Sequence, residues 1–333
     1  MGVYGSVDEA EREPKKNALC GGIEGTPGVR KRQLTVLGGP VRVYEAGERD
    51  RPAVVLLHGA MYDESRFIWD SMFPALSERF HVFALDTPRH GGSRPWEGEL
   101  DRTRLMEILE DAFAQLGLRF FCIVGLSMGG GLAIAYAAKH PEQIGAMALF
   151  EPGGLGDRVD WQLLTWLYLK TPGMLRLLSR QYAKYDLAKV QKLMNSIFTK
   201  GTRPSNSDRL SRILRDEIHG KYTCGERDLD DWQIGAIRPF SLSWNLLREA
   251  GEISCPTLWL RGAESRLVKQ HEMERAVRLA RSQGATAELI VIPNAGHILP
   301  LEQPERANAE VLSFLTETTR KSAPNRSAES EKR

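Results

Sequence analysis

The segment Gly125-Leu126-Ser127-Met128-Gly129 has the residue types of an activated serine nucleophile. It follows the apolar run FFCIV, which is typical of a buried strand, and precedes GGLAIAYAAK, which is typical of a helix. A serine on a tight strand-to-helix turn holds its hydroxyl clear of a sheet, and the flanking glycines leave room for neighbouring backbone. Amide groups at the helix start would face developing negative charge at the same point. The pattern therefore predicts Ser127 as a nucleophile.

A histidine near the other end of the chain has the position expected of a general base. His297 lies in PNAGHILP, directly after the apolar run AELIVI. The carboxyl ends of parallel strands meet at one edge of a sheet, so this loop would lie on the same edge as the Ser127 turn. We predict that His297 takes the proton from the Ser127 hydroxyl during nucleophilic attack.

A third segment, His58-Gly59-Ala60-Met61, follows the apolar run AVVLL. A glycine-containing loop at the end of a strand can supply a main-chain amide to an oxyanion hole. We predict that the amide of Ala60, or alternatively that of Met61, pairs with the amide of Met128. His58 is expected to have a structural role.

The elements that must position these residues alternate between strand and helix. LTVLGG and VRVYEAG predict an antiparallel hairpin, and six later apolar runs predict buried strands: AVVLL, HVFALD, FFCIVG, AMALFE, TLWLRG and AELIVIP. Amphipathic or small-residue helical segments separate most of these runs. This alternation predicts an α/β fold whose mostly parallel sheet is flanked by helices.

The alternation stops in the middle of the chain, where residues 153–248 contain helical stretches and no clear buried strand. This segment predicts a helical cap inserted into the sheet domain. We therefore expect a core of residues 33–152 and 249–318 and a cap of residues 153–248. Residues 1–32 are expected to be a flexible leader, and residues 319–333 a disordered tail.

Taken together, the motifs resemble the α/β-hydrolase superfamily, in its capped, epoxide-hydrolase-like or esterase-like branch. The resemblance runs from about Leu34 to Leu315 and includes HGA at 58–60, DTPRHGGS at 86–93, GLSMGG at 125–130 and Gly296-His297. It implies an eight-stranded, mostly parallel sheet with a lid. Arg89 stands where these relatives commonly have glycine. Ser127 argues against the branch that uses a nucleophilic aspartate.

The acid of the implied Ser-His-acid triad departs from the common pattern. Most relatives place an aspartate in the loop after the strand that follows the cap, and here Ser265 has that position. Glu264 is adjacent, but a shift of one residue normally turns a side chain away. Glu151 ends the run AMALFE, and some haloalkane-dehalogenase-like relatives take their acid from that strand end. We favour Glu151 as the acid, with Glu264 as the alternative.

The resemblance implies a serine hydrolase, most simply a carboxylesterase that cleaves small apolar or acyl esters through an acyl-enzyme. Two alternatives stay open: a C–C bond hydrolase or lyase on the same fold, and a non-catalytic, receptor-like ligand-binding protein. In the cap, Trp161 and Trp166 lie in a dense apolar helix. We predict that they contact the substrate.

The composition of the chain limits the classes of binding partner. The chain has 45 Lys and Arg against 43 Asp and Glu, a net charge of +2, so no broad field favours nucleic acid or an anionic membrane. No secretory signal or run long enough for a membrane span is evident, which predicts a cytoplasmic protein without stable membrane insertion. Gly2 and Ser6 fit an N-myristoylation pattern. We expect a small-molecule partner, no cofactor, no metal, and a monomer or homodimer.

Overall fold

The computed structural model describes residues 22–204 and 206–322. Its centre is a sheet of eight strands in the order β1-β2-β4-β3-β5-β6-β7-β8. The strands are β1 (Arg30–Val36), β2 (Gly39–Ala46), β3 (Ala53–Leu57), β4 (His81–Leu85), β5 (Phe121–Leu126), β6 (Ile144–Phe150), β7 (Thr257–Gly262) and β8 (Ala287–Ile292). β2 pairs antiparallel with both β1 and β4, and every other pairing is parallel. The predicted fold class is confirmed.

Helices cover both faces of this sheet and form the segment between β6 and β7. The helices are α1 (Ser65–Ile68), α2 (Met72–Ser77), α3 (Arg102–Gln115), α4 (Met128–Lys139), α5 (Gln162–Lys170), α6 (Met174–Tyr182), α7 (Leu187–Ile197), α8 (Ser207–Thr223), α9 (Asp231–Ala236), α10 (Leu247–Gly251), α11 (Gln270–Ser282), α12 (Leu299–Glu302) and α13 (Pro304–Ser322). No helix in residues 22–204 and 206–322 is long and apolar enough to cross a membrane.

The central strands are buried on both faces, which explains their continuous apolar sequences. Successive residues of a strand point to opposite faces. Val55 and Leu57 of β3 accordingly pack with residues of α3 and α4, whereas Val54 and Leu56 pack with residues of α2 and α13. The two apolar layers hold the carboxyl ends of the parallel strands in a fixed arrangement, and the loops that carry the candidate site start from those ends.

The ordered chain extends beyond the predicted core at both ends. β1 begins at Arg30, and Ile23 is packed into the apolar layer with only 1% of its surface exposed. Arg30 and Arg32 form ion pairs with Glu45 on β2. Because the first residues of β1 are charged, apolar periodicity in the sequence does not indicate where the strand begins. At the other end, α13 continues to Ser322. Gly2 and residues 323–333 lie outside the described residues.

Candidate active site

Ser127 occupies the turn between β5 and α4 in a strained conformation. Its backbone has φ 51° and ψ −112°, a region that residues with a Cβ rarely adopt. A Cβ at Gly125 would stand 2.6 Å from the carbonyl oxygen of Gly129, and a Cβ at Gly129 would collide with the carbonyl oxygen of Leu57. Both glycines are therefore required, and the turn presents Ser127 at the edge of the sheet.

Glu151 leaves the neighbouring strand at the same level. Leu126 of β5 pairs with Phe150 of β6, and Ser127 and Glu151 are the next residues along the two strands. The Ser127 amide donates to the Phe150 carbonyl at 2.9 Å. Glu151 also has a positive φ, 41°. Two adjacent strained residues at one sheet edge are typical of functional sites.

The carboxylate of Glu151 is fully buried and has three donors. Its Oε2 accepts from Nδ1 of His297 at 2.8 Å and from the Ser265 hydroxyl at 2.5 Å, and its Oε1 accepts from the Gly262 amide at 2.9 Å. Because an ionised carboxylate can only accept, this contact assigns a proton to Nδ1 of His297. The other ring nitrogen, Nε2, then has a lone pair that can accept a proton.

The other acid considered from the sequence lies elsewhere. Glu264 is exposed, and its side chain makes no hydrogen bond or ion pair within the part of the chain that the structure describes. Ser265, at the position where most relatives carry the aspartate, instead supports Glu151 through its hydroxyl. The structure thus brings His297 together with Glu151 and leaves Glu264 in solvent.

The loop after β3 passes directly beside Ser127. A Cβ at Gly59 would lie 3.6 Å from Ser127 Cβ, and the Gly129 amide donates to the His58 carbonyl at 3.1 Å. The amides of Ala60 and Met128 have no hydrogen-bond acceptor among the described residues. Two open amides beside a serine hydroxyl are the arrangement that an oxyanion hole requires.

His58 is a structural residue of this loop. Its Nε2 accepts the Thr87 amide at 2.9 Å, and its Nδ1 then donates to the Gly59 carbonyl at 2.7 Å. Burial holds the pKa of His58 well below its usual value, so the ring is neutral. A neutral ring with both nitrogens occupied fixes the loop that carries the Ala60 amide.

Ser127 and His297 lie at the same carboxyl edge of the sheet, on either side of Glu151. No hydrogen bond joins their side chains in the described structure, and the imidazole is 16% exposed. Such bonds are often long in free enzymes and shorten when substrate binds. The described arrangement therefore contains the groups for acyl transfer with the nucleophile–base contact still open.

Comparisons with known proteins agree with this geometry. The family model described as alpha/beta hydrolase fold matches residues 52–304. The chain belongs to this family. The match supports a hydrolase, and the predicted superfamily is confirmed.

Curated relatives of this alpha/beta hydrolase differ in activity. The chain is 25% identical over 325 residues to the dihydrolipoyllysine-residue acetyltransferase component of the acetoin cleaving system of Pseudomonas putida. The alignment covers 94% of this chain and 78% of the relative. It is 26% identical over 280 residues to carboxylesterase YbfK of Bacillus subtilis (83% and 84% covered). It is 26% identical over 282 residues to a 2-hydroxy-6-oxo-6-phenylhexa-2,4-dienoate hydrolase of Comamonas testosteroni (81% and 89%). The crystal structure of the Bacillus subtilis carboxylesterase superposes with a TM-score of 0.63 at 22% identity, covering 86% of this chain and 91% of that one.

One carboxylate of this hydrolase was missed by the sequence analysis. A Cβ at Gly59 would overlap Oδ2 of Asp63, and the same point lies 3.6 Å from Ser127 Cβ. Asp63 forms no ion pair with a described residue. Burial raises its pKa to about 6, against the opposing influence of His297 and His90. The sequence offered one signal for this site, an acidic residue three positions after the HGA segment. The turn that brings its carboxylate back beside Gly59 is visible only in the structure.

A group of ion pairs joins the helical segment between β6 and β7, which we call the cap, to the loop that carries Arg89. Arg89 donates to Asp231 at 2.7 Å, and Arg94 donates to Glu217 at 2.6 Å and to Glu226 at 3.1 Å. Arg89 is the residue that departs from the family's usual glycine. Its partner lies in α9 of the cap, which gives the departure a physical reason.

The same junction contains a buried carboxylate with two side-chain donors. Asp230 accepts from His90 at 3.2 Å and from the ammonium of Lys221 at 3.3 Å. Burial alone would raise the pKa of Asp230, but Lys221 and His90 outweigh it and hold the pKa well below its usual value. We call the eight residues of these contacts the cap latch: Arg89, His90, Arg94, Glu217, Lys221, Glu226, Asp230 and Asp231.

A small cleft lies beside the cap latch and reaches Met128. Neither Ser127 nor His297 lines it. Of the two predicted substrate contacts, Trp161 is 79% exposed at the start of α5, and Trp166 is half-buried. Their predicted contact with substrate stays a prediction. Within the described ranges, no cluster of three or more His, Cys, Asp or Glu could hold a metal ion.

Proposed function

We propose that this protein is a serine carboxylesterase in which Ser127 is the nucleophile, His297 the general base and Glu151 the acid. The observation that carries the proposal is the buried Glu151–His297 contact of 2.8 Å at the strand end next to the strained Ser127 turn. Ser127, Glu151 and His297 follow β5, β6 and β8 at one edge of the sheet, an arrangement that supports acyl transfer.

In the proposed reaction, Nε2 of His297 takes the Ser127 proton as Oγ attacks the ester carbonyl. The amides of Ala60 and Met128 stabilise the oxyanion of the tetrahedral intermediate. His297 then protonates the departing alcohol, leaving an acyl group on Ser127. Water, deprotonated by the same imidazole, attacks the acyl-enzyme. His297 returns this proton to Ser127 Oγ as the acyl bond breaks, which releases the acid and restores the free enzyme.

Glu151 stabilises the imidazolium that forms in each step. The Gly262 amide and the Ser265 hydroxyl donate to this carboxylate and hold it beside His297. The fixed orientation of His297 and the favourable charge interaction lower the barrier at the moment when positive charge develops. Ser265 is therefore a positioning residue for Glu151.

The proposed substrates are small, neutral, apolar esters, and the proposed location of the protein is the cytoplasm. The apolar sequence of α5, including Trp161 and Trp166, supports an apolar acyl group. Asp63 supports a neutral substrate, because an unpaired carboxylate beside Ser127 repels a substrate carboxylate.

The test is hydrolysis of p-nitrophenyl butyrate by the wild type and by Ser127→Ala. We expect kcat to fall by roughly 10⁴-fold or more, because the nucleophile is lost while binding is retained. A fluorophosphonate probe should label the wild type at Ser127 and leave Ser127→Ala unlabelled. Unchanged hydrolysis in Ser127→Ala would refute the proposal. A wild type that neither reacts with the probe nor turns over esters would instead favour the non-catalytic, ligand-binding alternative.

A C–C bond hydrolase is the second candidate, because a dienoate hydrolase is as similar in sequence as the carboxylesterase. Such an enzyme would keep Ser127 and His297. The two candidates separate when 2-hydroxy-6-oxo-6-phenylhexa-2,4-dienoate and p-nitrophenyl butyrate are compared with the same preparation. We expect the ester to be the better substrate by kcat/KM, and the opposite preference would reverse the assignment.

A further inference from the structure

One face of the cap exposes apolar side chains that a folded monomer normally buries. Five of them belong to α5 or its first flanking residue, and one belongs to α6: Trp161 (79% exposed), Leu163 (44%), Leu164 (59%), Leu167 (48%), Tyr168 (38%) and Leu177 (63%). On α5 these positions recur every three or four residues, so they form a continuous stripe on one side of the helix. Contiguous exposed apolar surface of this kind marks an interaction site.

The stripe is held by packed structure. The opposite sides of helices α5 and α6 are packed: Leu169 of α5 and Leu175 of α6 are buried together with Ile234 of α9. The ion pair of Asp160 with Lys269, at 3.1 Å, ties the start of α5 to the start of α11 at the carboxyl edge of the sheet. The apolar face is therefore presented outward by a fixed pair of helices.

The charged residues of the segment that carries the stripe, residues 161–185, all have one sign. Between residues 161 and 185 the sequence has four basic residues and no acidic one. All four are exposed, and none forms an ion pair with a described residue: Lys170, Arg176, Arg180 and Lys184. Since the whole chain has a net charge of only +2, this segment concentrates positive charge.

We propose that residues 161–184, the cap face, dock on an anionic lipid surface. Trp161 and the leucines of α5 enter the boundary between headgroups and acyl chains, while the four cations contact lipid phosphates. Each cation near an anionic bilayer strengthens binding roughly fivefold. The docking is peripheral, because α5 has nine residues, far fewer than a span needs.

The charge pattern favours lipid over a second copy of this chain. A two-fold symmetric dimer places the same patch of both subunits face to face. Lys170, Arg176, Arg180 and Lys184 would then approach their own counterparts with no acidic residue of the segment to offset them. An anionic surface satisfies the stripe and the cations together.

The experiment is sedimentation of the full chain with vesicles of phosphatidylcholine alone or of equal parts phosphatidylcholine and phosphatidylglycerol. We expect binding to the anionic vesicles, weakening at least tenfold at high salt, and little binding to the neutral ones. The double variant Arg176→Glu/Arg180→Glu should weaken binding to anionic vesicles at least tenfold, and Leu164→Gln should weaken it severalfold.

Matched controls lie elsewhere on the surface. Arg119 is exposed before β5 at the opposite edge of the sheet, and Leu37 is 42% exposed in the β1–β2 turn. Arg119→Glu and Leu37→Gln should bind as the wild type does, and circular dichroism should show that every variant is folded. Absent binding, equal binding to neutral vesicles, or equal losses in the controls would overturn the proposal. So would a dimer in light scattering that Leu164→Gln converts to monomer.

Discussion

The candidate site and the cap latch both bury carboxylates, but they give them different partners. In the cap latch, Glu217 faces the guanidinium of Arg94, and Asp230 faces the ammonium of Lys221 in addition to the ring of His90. In the site, Glu151 faces a histidine, an amide and a hydroxyl. Guanidinium and ammonium groups neutralise a carboxylate permanently, whereas an imidazole gains and loses a proton near neutral pH. The comparison separates charges that hold the molecule together from a charge that can take part in a reaction.

The largest effect that would test this distinction is on the site acid. Glu151→Gln should lower kcat/KM for p-nitrophenyl butyrate by roughly 10³- to 10⁴-fold, because a neutral amide does not stabilise the imidazolium or select the required tautomer. The matched variant Glu264→Gln should stay within about twofold of the wild type, as expected for an exposed residue. Equal losses in the two variants would contradict the assignment of Glu151.

Substitutions in the cap latch should lower the free energy of unfolding. Arg94→Met leaves the buried Glu217 and Glu226 without their cation, so the free energy of unfolding should fall by about 3–5 kcal/mol. Urea unfolding measures this change. Arg119→Met, which removes an exposed arginine, should cost less than about 0.5 kcal/mol. A loss of activity without a loss of stability in Arg94→Met would place the cap latch in the reaction and remove the contrast.

Ser265 tests how the site acid is supported. Ser265→Ala removes one hydrogen bond to the buried carboxylate, and kcat should fall roughly tenfold, with KM little changed. The double variant Glu151→Gln/Ser265→Asp moves the acid to the position most relatives use. It should recover at least about tenfold of the activity that Glu151→Gln loses. No recovery would show that the β6 strand end is the only workable place for the acid in this chain.

The smallest expected effect concerns substrate charge. In Asp63→Asn, the kcat/KM for mono(4-nitrophenyl) succinate relative to 4-nitrophenyl butyrate should rise about tenfold, because one repulsive charge near Ser127 is removed. The two esters have acyl chains of equal length and differ in the terminal carboxylate. An unchanged ratio would show that the Asp63 carboxylate does not face the bound acyl group.

Asp63 should also contribute to the pH dependence of stability. Its pKa is raised in the folded protein to about 6 from an ordinary value of 3.8, so the native state holds the proton more tightly than the unfolded state. Its ionisation therefore lowers stability as pH rises through this window, and the cost is fully present above it. Asp63→Asn should remove this component from urea-unfolding curves measured between pH 4 and 7. An identical pH profile would place the carboxylate in water.

Sequence patterns were sufficient for the framework of the site. The run FFCIV, the GLSMG turn and the start of α4 at Met128 are local features, and their periodicity identifies strand, turn and helix directly. His297 could be assigned to the correct edge because parallel strands share a direction. In contrast, the start of β1 at Arg30 could not be seen, because its residues are exposed and charged and its strand conformation depends on pairing with β2.

The amino-acid sequence by itself determined the alternating strands and helices, the strained serine turn and a histidine at the proper end of a strand, because each depends on neighbours a few residues away. Only the tertiary structure showed that Glu151 contacts His297 while Glu264 is exposed, brought Ser265 to Glu151 and Asp63 to the Ser127 loop, paired Arg89 with Asp231, and left the stripe on α5 exposed. These outcomes depend on contacts between residues distant in sequence, from 64 positions for Asp63 and Ser127 to 146 for Glu151 and His297, or on which surface finds a partner. Strand register and helix packing set both, and no local pattern encodes them.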